Sequence, residues 1–307
     1  MDRVFGVHKT AIGRWTVLIG NIIGAAIYLS LISPISSLNW AGQVVNTPGN
    51  ANFGVIAATW VEPAFKPNPN GPPEPGDVGG GADAIWVGLG GMNGLKYSGN
   101  LCQAGTLDVE AESGQILEYL VAEDYPKPAM LSSFTISPGD TIMALVGYLG
   151  GIPAAMVTDL TTGQSLAIGC SLPTGGGWDS AEWVMEAPTF VEGPHAYLEP
   201  VLEPNPQNDG VFAWQSMSLG LSPGHGWPAW LAAQAPSVWM PNWQTFMQPM
   251  NMVWPLPIAG ESTTQLVGSP VQADWNGLGP DTATITWQPT PYSYRPIVRM
   301  IGSLLGG

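Results

Sequence analysis

Glycine and proline interrupt this chain so often that long helices have little room in most of it. The 307 residues include 40 Gly and 30 Pro. Both residue types break helices, and both are favoured in turns. Between them lie short runs in which apolar and polar residues alternate, which is the pattern of half-buried strands. The sequence therefore predicts an all-β protein, and its length suits one large sandwich domain.

Short segments with this strand pattern recur between residues 39 and 288. Each contains alternating or β-branched apolar residues and is bounded by Gly, Pro, Asn or Asp. The predicted strands are 39–46, 53–61, 84–90, 101–109, 115–121, 131–136, 140–148, 154–160, 164–170, 181–187 and 282–288. The segment 66–81 is predicted to be a surface loop, because its prolines cannot donate to a sheet ladder.

The region 188–280 has a different composition, rich in Pro and Trp. It is predicted to be a partly structured insertion that caps the sandwich, with one helix at 228–235 in whose first turn Pro228 fits. The sandwich domain as a whole is predicted to span 39–290. Residues 291–307 are predicted to be a C-terminal tail, whose apolar run is too short to cross a membrane.

The N-terminal segment 1–38 has the pattern of an export signal or a membrane anchor. Arg3, Lys9 and Arg14 precede the almost uncharged run 15–38. Its apolar part is predicted to be a helix, at about the lower length limit for crossing a bilayer. The absence of an A-x-A cleavage site favours a retained anchor, with the rest of the chain outside the cell. We therefore expect an extracellular or cell-surface protein; whether the segment is cleaved stays open.

The charge balance restricts the partners that this chain can bind. Eight Lys and Arg residues face 23 Asp and Glu residues, giving a formal net charge of −15 at pH 7. Such a surface repels phosphate backbones and anionic lipid headgroups. Nucleic acid is therefore not expected as a partner, and membrane contact is expected only through the N-terminal segment. Carboxylates lose their charge near about pH 4, so the composition suits an acidic medium.

Cysteine and histidine residues give no sign of a metal site. His8, His195 and His225 stand far apart, without the spacing that brings metal ligands together. Cys102 and Cys170 could form one disulfide or remain two buried thiols, and the sequence leaves both possibilities open. The G-x-S-x-G motif of a serine nucleophile is also absent. No metal and no cofactor are therefore predicted.

Two glutamates in the predicted strand 181–187 are candidates for acid–base chemistry. Glu182 and Glu186 are four residues apart, so in a strand both side chains emerge on one face. A carboxyl group near another, or in a partly desolvated cleft, has a raised pKa and can act as a general base and then a general acid. The alternative is a solvated strand face that carries two unrelated acids.

Seven short segments, taken in order, carry the strongest functional signal. They are NWAG at 39–42, WVGL at 86–89, LCQAG at 101–105, LEY at 117–119, TISPGD at 135–140, DLTTGQ at 159–164 and AEWVME at 181–186. Together they resemble the motifs of the glutamic peptidase (eqolisin) family. The resemblance implies that Gln103 and Glu186 are the catalytic residues, since they occupy the positions of that family's glutamine and second glutamate.

The resemblance also implies a fold, a reaction and a set of supporting residues. The expected fold is an antiparallel β-sandwich of the jelly-roll, concanavalin-like type. The expected activity is that of an acid-acting endopeptidase on polypeptide substrates, in which Glu186 takes a proton from a water and the Gln103 amide stabilises the oxyanion. The residues expected to bind substrate or support the cleft are Trp40, Trp86, Glu118 and Glu182.

Two other functions stay open at this point. A glycoside hydrolase on a similar sandwich would also place two acids on one strand and could use the 14 Trp residues as sugar platforms, but it gives Gln103 no role. A non-catalytic cell-surface sandwich would explain export, acidity and the Trp content without any chemistry. The sequence does not determine the oligomeric state.

Overall fold

The computed structural model describes most of the chain between residues 35 and 290, in one compact unit, Pro34–Gly307. The described residues are 35–37, 39–46, 52–67, 81–93, 96–97, 99–111, 113–149, 152–173, 177–192, 195–198, 202–204, 211–222, 238–239, 247–252, 263–268 and 283–290. The predicted N-terminal helix, the helix at 228–235, the tail 291–307 and most of the loop 66–81 lie outside them. Among the described residues no helix is long and apolar enough to span a membrane.

The described part of the chain consists of strands and their connections, which confirms the all-β prediction. In chain order the strands are β1 (Ile35–Ser37), β2 (Trp40–Asn46), β3 (Asn52–Val61), β4 (Phe65–Lys66), β5 (Ala82–Leu89), β6 (Met92–Asn93), β7 (Lys96–Tyr97), β8 (Leu101–Glu110), β9 (Ile116–Tyr125), β10 (Met130–Thr135), β11 (Thr141–Leu149), β12 (Ile152–Asp159), β13 (Ser165–Gly169), β14 (Ser180–Glu186), β15 (Thr189–Glu192), β16 (His195–Leu198), β17 (Glu203–Pro204), β18 (Val211–Ser222), β19 (Val238–Trp239), β20 (Met247–Met252), β21 (Thr263–Gly268) and β22 (Ala283–Thr290).

Two antiparallel sheets are connected through one long strand, β18. The first sheet has the order β10-β9-β8-β5-β14-β2-β20-β21-β22, and β22 pairs with the beginning of β18. The rest of β18 pairs with β3, which starts the second sheet, β3-β11-β12-β13. Short β1 is the exception to the antiparallel pattern, because it runs parallel to β20. The jelly-roll arrangement and the N-terminal helix stay predictions.

Each predicted strand corresponds to a strand of the structure, with ends that differ by a few residues. One of these differences matters for the site. The segment predicted as 115–121 continues to Tyr125, so Glu123 lies inside β9 rather than beyond it.

Part of the region 188–280, expected to cap the sandwich, instead forms strands within it. Phe212, Trp214, Met217 and Leu219 of β18 are buried in the main core. The backbone of Ser216 has a φ of 49°, and the pairing of β18 with β3 shifts register around this residue. This bulge interrupts the regular alternation, which explains why the strand was not recognised from the sequence.

The main hydrophobic core lies between the two sheets, and a smaller apolar cluster lies on the opposite side of the first sheet. Trp183 and Met185 of β14 belong to the main core and are fully buried. Since side chains alternate along a strand, Glu182 and Glu186 face the other side. The smaller cluster on that side consists of Trp40, Val44, Ala84, Trp86, Met92, Leu101 and Val184. The candidate site lies on this side of the sheet.

A disulfide joins Cys102 in β8 to Cys170, the residue after β13. It therefore ties the first sheet to the end of the second, with the two Cα atoms 6.0 Å apart. This resolves the alternative that the sequence left open for the two cysteines.

Candidate active site

A row of side chains across four neighbouring strands forms one end of the candidate site. Glu182 is paired with Gly88, Gly88 with Gln103, and Gln103 with Glu123. Residues directly opposite each other in antiparallel strands point to the same side of the sheet. The two glutamates and the glutamine therefore share one face, with a glycine between Glu182 and Gln103.

A second row, four residues further along β14, contains the other predicted catalytic residue. Glu186 lies between Trp40 of β2 and Ala84 of β5, and the row continues through Leu107 to Tyr119. Because side chains an even number of positions apart share a side, this row faces the same way as the first. Gln103 and Glu186 are thus on one face of one sheet.

The carboxylate of Glu186 is held by N–H donors on both oxygens. The Asn39 side-chain amide donates to Oε1 and the Trp86 indole donates to Oε2, each over 2.9 Å. The Trp86 ring packs edge-on against Trp40, with centroids 5.0 Å apart. Glu186 as a residue is partly exposed, and the two hydrogen bonds fix the direction of its carboxylate.

Burial raises the pKa of Glu186 to about 7, against an ordinary value of 4.5. Hydrogen bonds from Trp40, Trp86 and Asn39 lower the pKa, and the negative charge of Glu123 raises it. Burial dominates because it disfavours the ionised form. A carboxyl group with such a pKa changes charge near neutrality and can both accept and return a proton.

Gln103 is partly exposed, and its amide nitrogen is bound to a neighbouring acid. Nε2 donates to Oε2 of Glu123 over 2.5 Å. The buried Oε1 of Gln103 has no hydrogen-bond partner among the described residues. Burial raises the pKa of Glu123, whereas the hydrogen bond from Gln103 lowers it. The amide thus has a free acceptor and, since a primary amide carries two N–H groups, a second donor.

Three of the residues expected to bind substrate or support the cleft are buried on this face. The Glu182 side chain is 0% exposed and Trp86 is 1% exposed, while Trp40 reaches 7%. Burial raises the pKa of Glu182 to about 8. These side chains therefore support the site from below, and the two tryptophans do so by positioning Glu186.

The fourth residue, Glu118, lies on the other side of the sheet. It is paired with Asp108 and points between the two sheets, where burial followed by the charge of Glu62 raises its pKa to about 8. The structure does not bring it onto the face that Glu186 and Gln103 share, because it is an odd number of residues from both Tyr119 and Glu123 in the same strand.

Two residues of the site were not predicted as such, Asn39 and Glu123. Asn39 belongs to the NWAG segment, and its role as a donor to Glu186 depends on the pairing of β2 with β14. Glu123 could have been found from the β8–β9 hairpin, in which Gln103 and Glu123 lie directly opposite each other. To predict this pairing from the sequence, one would have needed to know the length of the turn between the two strands and the residue at which β9 ends.

The arrangement suits proton transfer to and from a water. Among the residues that the structure describes, no group of three or more His, Cys, Asp and Glu residues could hold a metal ion. A fixed carboxylate that titrates near neutrality, on the same face of the sheet as an amide with donor and acceptor groups, can activate a water and stabilise an oxyanion.

The fold resembles solved structures of glutamic peptidases. Two structures of scytalido-glutamic peptidase, each with a transition-state analogue, align with TM-scores of 0.52 at 16% and 18% identity. Both alignments cover 82% of this chain and 99% of the other. Aspergilloglutamic peptidase from Aspergillus niger aligns with a TM-score of 0.38 at 19% identity, over 67% of this chain and 99% of that one. The first two similarities establish a shared fold.

The sequence also matches a family model. Residues 38–201, just over half of the chain, match the model of the peptidase A4 family. No curated protein sequence matches the chain. The matched range includes Asn39 and the strands that carry Gln103, Glu123 and Glu186. The chain therefore belongs to the peptidase A4 family, the glutamic peptidases, and is a hydrolase of that class.

Proposed function

We propose that this chain is an acid-acting endopeptidase in which Glu186 and Gln103 act together on one water. The main support is the state of Glu186, whose carboxylate is held by the Asn39 and Trp86 N–H groups and has a pKa raised to about 7 by burial. Gln103 lies on the same face of the sheet and has a free acceptor. Both therefore face the side from which a peptide would approach.

In the first step, ionised Glu186 accepts a proton from a water whose oxygen attacks the scissile carbonyl carbon. The Oε1 atom of Gln103 accepts the other hydrogen bond of that water and orients it. The new C–O bond forms as the carbonyl π electrons move onto oxygen. General-base catalysis of this type contributes about 10²- to 10⁴-fold to the rate.

In the second step, the tetrahedral intermediate collapses and the peptide C–N bond breaks. The second N–H of the Gln103 amide, the one that does not donate to Glu123, donates a hydrogen bond to the oxyanion of this intermediate. Protonated Glu186 gives its proton to the departing amine, so the carboxylate returns to its starting state. The water supplies the oxygen of the new carboxyl group, and no covalent intermediate with the protein is required.

The raised pKa of Glu186 sets the pH range of this mechanism. The base must be ionised, so the rate falls as pH drops below the pKa, and an ionised fraction of roughly one in a hundred remains two units below it. Protonation of Glu123 in acid removes its repulsion and lowers the pKa of Glu186. We therefore expect activity to be lost in strong acid and to extend towards neutral pH, closer to neutrality than the composition alone indicates.

The tryptophans whose burial is described give no support to a sugar-binding function. The tryptophans whose burial the structure describes are all buried, at 7% exposure or less: Trp40, Trp60, Trp86, Trp178, Trp183 and Trp214. A sugar platform needs an exposed ring face. None of these rings offers one.

Hydrolysis of a denatured protein tests the proposal. The purified chain is incubated with the substrate from about pH 2 to about pH 7, with an aspartic-peptidase inhibitor present. We expect cleavage by the wild type and a loss of at least about a hundredfold in Gln103→Ala and Glu186→Gln. Full activity in either variant, at an unchanged melting temperature, would remove that residue from the mechanism.

We also propose that the protein works outside the cytosol, at the cell surface or beyond it. The Cys102–Cys170 disulfide supports this, because such bonds persist in oxidising compartments. Protease treatment of intact cells is expected to degrade the chain. Full protection from the protease until the cells are lysed would contradict export.

A further inference from the structure

We propose that Glu123 is a positioning residue of the site, which fixes the orientation of the Gln103 amide. The inference rests on the proposed function, since it concerns how Gln103 presents its two polar ends to the water and the oxyanion. Glu123 lies in β9, directly opposite Gln103 in β8. It is partly exposed and belongs to none of the segments that resemble the family motifs.

The contact between the two side chains selects one orientation of the amide. Glu123 Oε2 accepts a hydrogen bond from Gln103 Nε2 over 2.5 Å. While Glu123 is ionised, its carboxylate has no hydrogen to donate, so only the NH₂ end of the amide can face it. Oε1 of Gln103 then points elsewhere. It is buried and has no partner among the described residues, so it is the acceptor that remains for a water that enters the site.

Glu123 is also the one neighbour in this row that can hold the amide. On the other side of Gln103 lies Gly88, which has no side chain. A Cβ at Gly88 would stand 2.7 Å from the Leu101 side chain and 2.9 Å from the Trp86 ring, so the site has no room for a partner there. The last torsion of glutamine is broad and roughly two-fold, so the amide can exchange its two ends without Glu123.

The charge of Glu123 also acts on the base. Its carboxylate raises the pKa of Glu186. The other groups that face Glu186 are Glu182 on the same strand, Asn39 and Trp40 from the first residues of β2 and the turn before it, Trp86 from β5, Leu107 from β8 and Tyr119 from β9. Of these only Glu182 is a carboxyl group, and it is fully buried. Removal of the Glu123 charge therefore lowers the pH at which Glu186 ionises.

Two substitutions separate orientation from charge. In Glu123→Gln the new amide can accept from Gln103 Nε2 but can also donate to its Oε1, so the preference for one orientation is weakened and kcat should lie between the values of the wild type and Glu123→Ala. The acid limb of the Glu123→Gln pH–rate profile, where activity falls as Glu186 is protonated, should move to lower pH because the negative charge of Glu123 is gone. In Glu123→Ala the amide has no partner, and we expect kcat to fall at least about tenfold with KM changed less than about twofold. The acid limb should move in this variant as well.

Asp124→Asn is the matched control, because Asp124 is the next residue and faces the other side of the strand. Its carboxylate binds Ser171 and Lys127 rather than Gln103. We expect this variant to keep the wild-type acid limb at a comparable melting temperature. An equal shift in Asp124→Asn would show that any lost charge moves the limb, and this would overturn the inference.

Two further results would also overturn it. One is wild-type kcat in Glu123→Ala. The other is an equal loss of activity in Glu123→Ala and Glu123→Gln without any movement of the acid limb, which would indicate a purely structural role. If Gln103→Ala and Glu186→Gln are inactive in the same experiments, such a result rejects the role of Glu123 alone. If those two variants stay active, the proposed function itself fails.

Discussion

The Glu186 carboxylate is held by neutral N–H donors, and no cation is among the described groups that act on its pKa. A positive charge beside it would keep the pKa low and the group ionised at all working pH values. Neutral N–H groups from Asn39 and Trp86 fix its direction but only partly offset the effect of burial. The result is a carboxyl group that can take up a proton and release it within one reaction cycle.

Replacing Trp86 tests this balance at a single residue. Trp86→Phe keeps an aromatic ring against Trp40 but removes the indole N–H that donates to Glu186. Since that hydrogen bond lowers the pKa of Glu186, its loss should raise the pKa further and move the acid limb of kcat/KM to higher pH. We also expect a decrease of about tenfold in kcat/KM at weakly acidic pH.

The control for this prediction is Trp60→Phe. Trp60 donates to Glu62 and lies in the main core, on the far side of the first sheet from the site. That variant should lose stability without moving the acid limb. A Trp86→Phe profile that coincides with the wild type would show that the indole does not control the ionisation of Glu186.

At the level of the strands, the candidate site depends on the pairing of β5 with β8. A glycine in β8 allows these two strands to lie close enough to pair. Gly105 is opposite Trp86, and a Cβ on Gly105 would stand 1.9 Å from the carbonyl oxygen of Ile85. Backbone atoms cannot move aside as a flexible side chain can. The strand that carries Gln103 can therefore pack at this distance only with glycine at position 105.

Gly105→Ala is accordingly expected to destabilise the fold by about 1–3 kcal/mol, by forcing β8 away from β5. Activity should fall as well, because Gln103 moves with the strand. Gly169→Ala in β13 is the matched control, since no atom lies within 4 Å of the position of its Cβ. Urea unfolding of both variants measures the difference. Equal stabilities would show that the two strands tolerate a wider spacing.

The elements were largely predictable from the sequence, whereas their arrangement was not. Alternation of apolar and polar residues is visible within each segment, so strands such as β8 and β14 could be located one by one. Their order in the sheet depends on contacts between distant parts of the chain. The motifs identified Gln103 and Glu186, but the donors to Glu186 and the partner of Gln103 depend on strand register, which the motifs do not specify.

Several described carboxyl groups are buried with no cation among the groups that set their pKa. Burial raises the pKa of Glu62 to about 7 and that of Glu118 to about 8, and it raises the pKa of Asp83 and Asp108 well above their ordinary value. Neither oxygen of Asp108 has a hydrogen-bond partner among the described residues within ordinary bonding geometry. These groups lie between the sheets, on the side opposite the catalytic face.

The free energy of unfolding should therefore fall as pH rises from about 4 to about 8. These carboxyl groups bind their protons more tightly in the folded protein than in the unfolded chain, so the folded state holds more protons in this range. Their contribution is complete below the unfolded pKa and is lost as pH rises through the folded values. Since one unit corresponds to about 1.4 kcal/mol, several groups together should cost several kcal/mol.

Urea unfolding at a series of pH values measures this slope, and Asp108→Asn provides a variant that should reduce it. The neutral amide has nearly the shape of the protonated acid but does not ionise, so the variant should lose less stability at about pH 8. Stability that stays constant or increases towards pH 8 would contradict protonated burial of these groups.

The central claim is that Glu186 and Gln103 act as a unit on one water, and a double-mutant cycle tests it most directly. The measured quantity is kcat/KM for a peptide substrate in the wild type, Gln103→Ala, Glu186→Gln and the double variant, all shown to be folded. Residues that act as a unit are strongly non-additive. The account predicts that kcat/KM of the double variant is at most about threefold lower than that of the slower single variant. Losses that multiply across the two sites would contradict it.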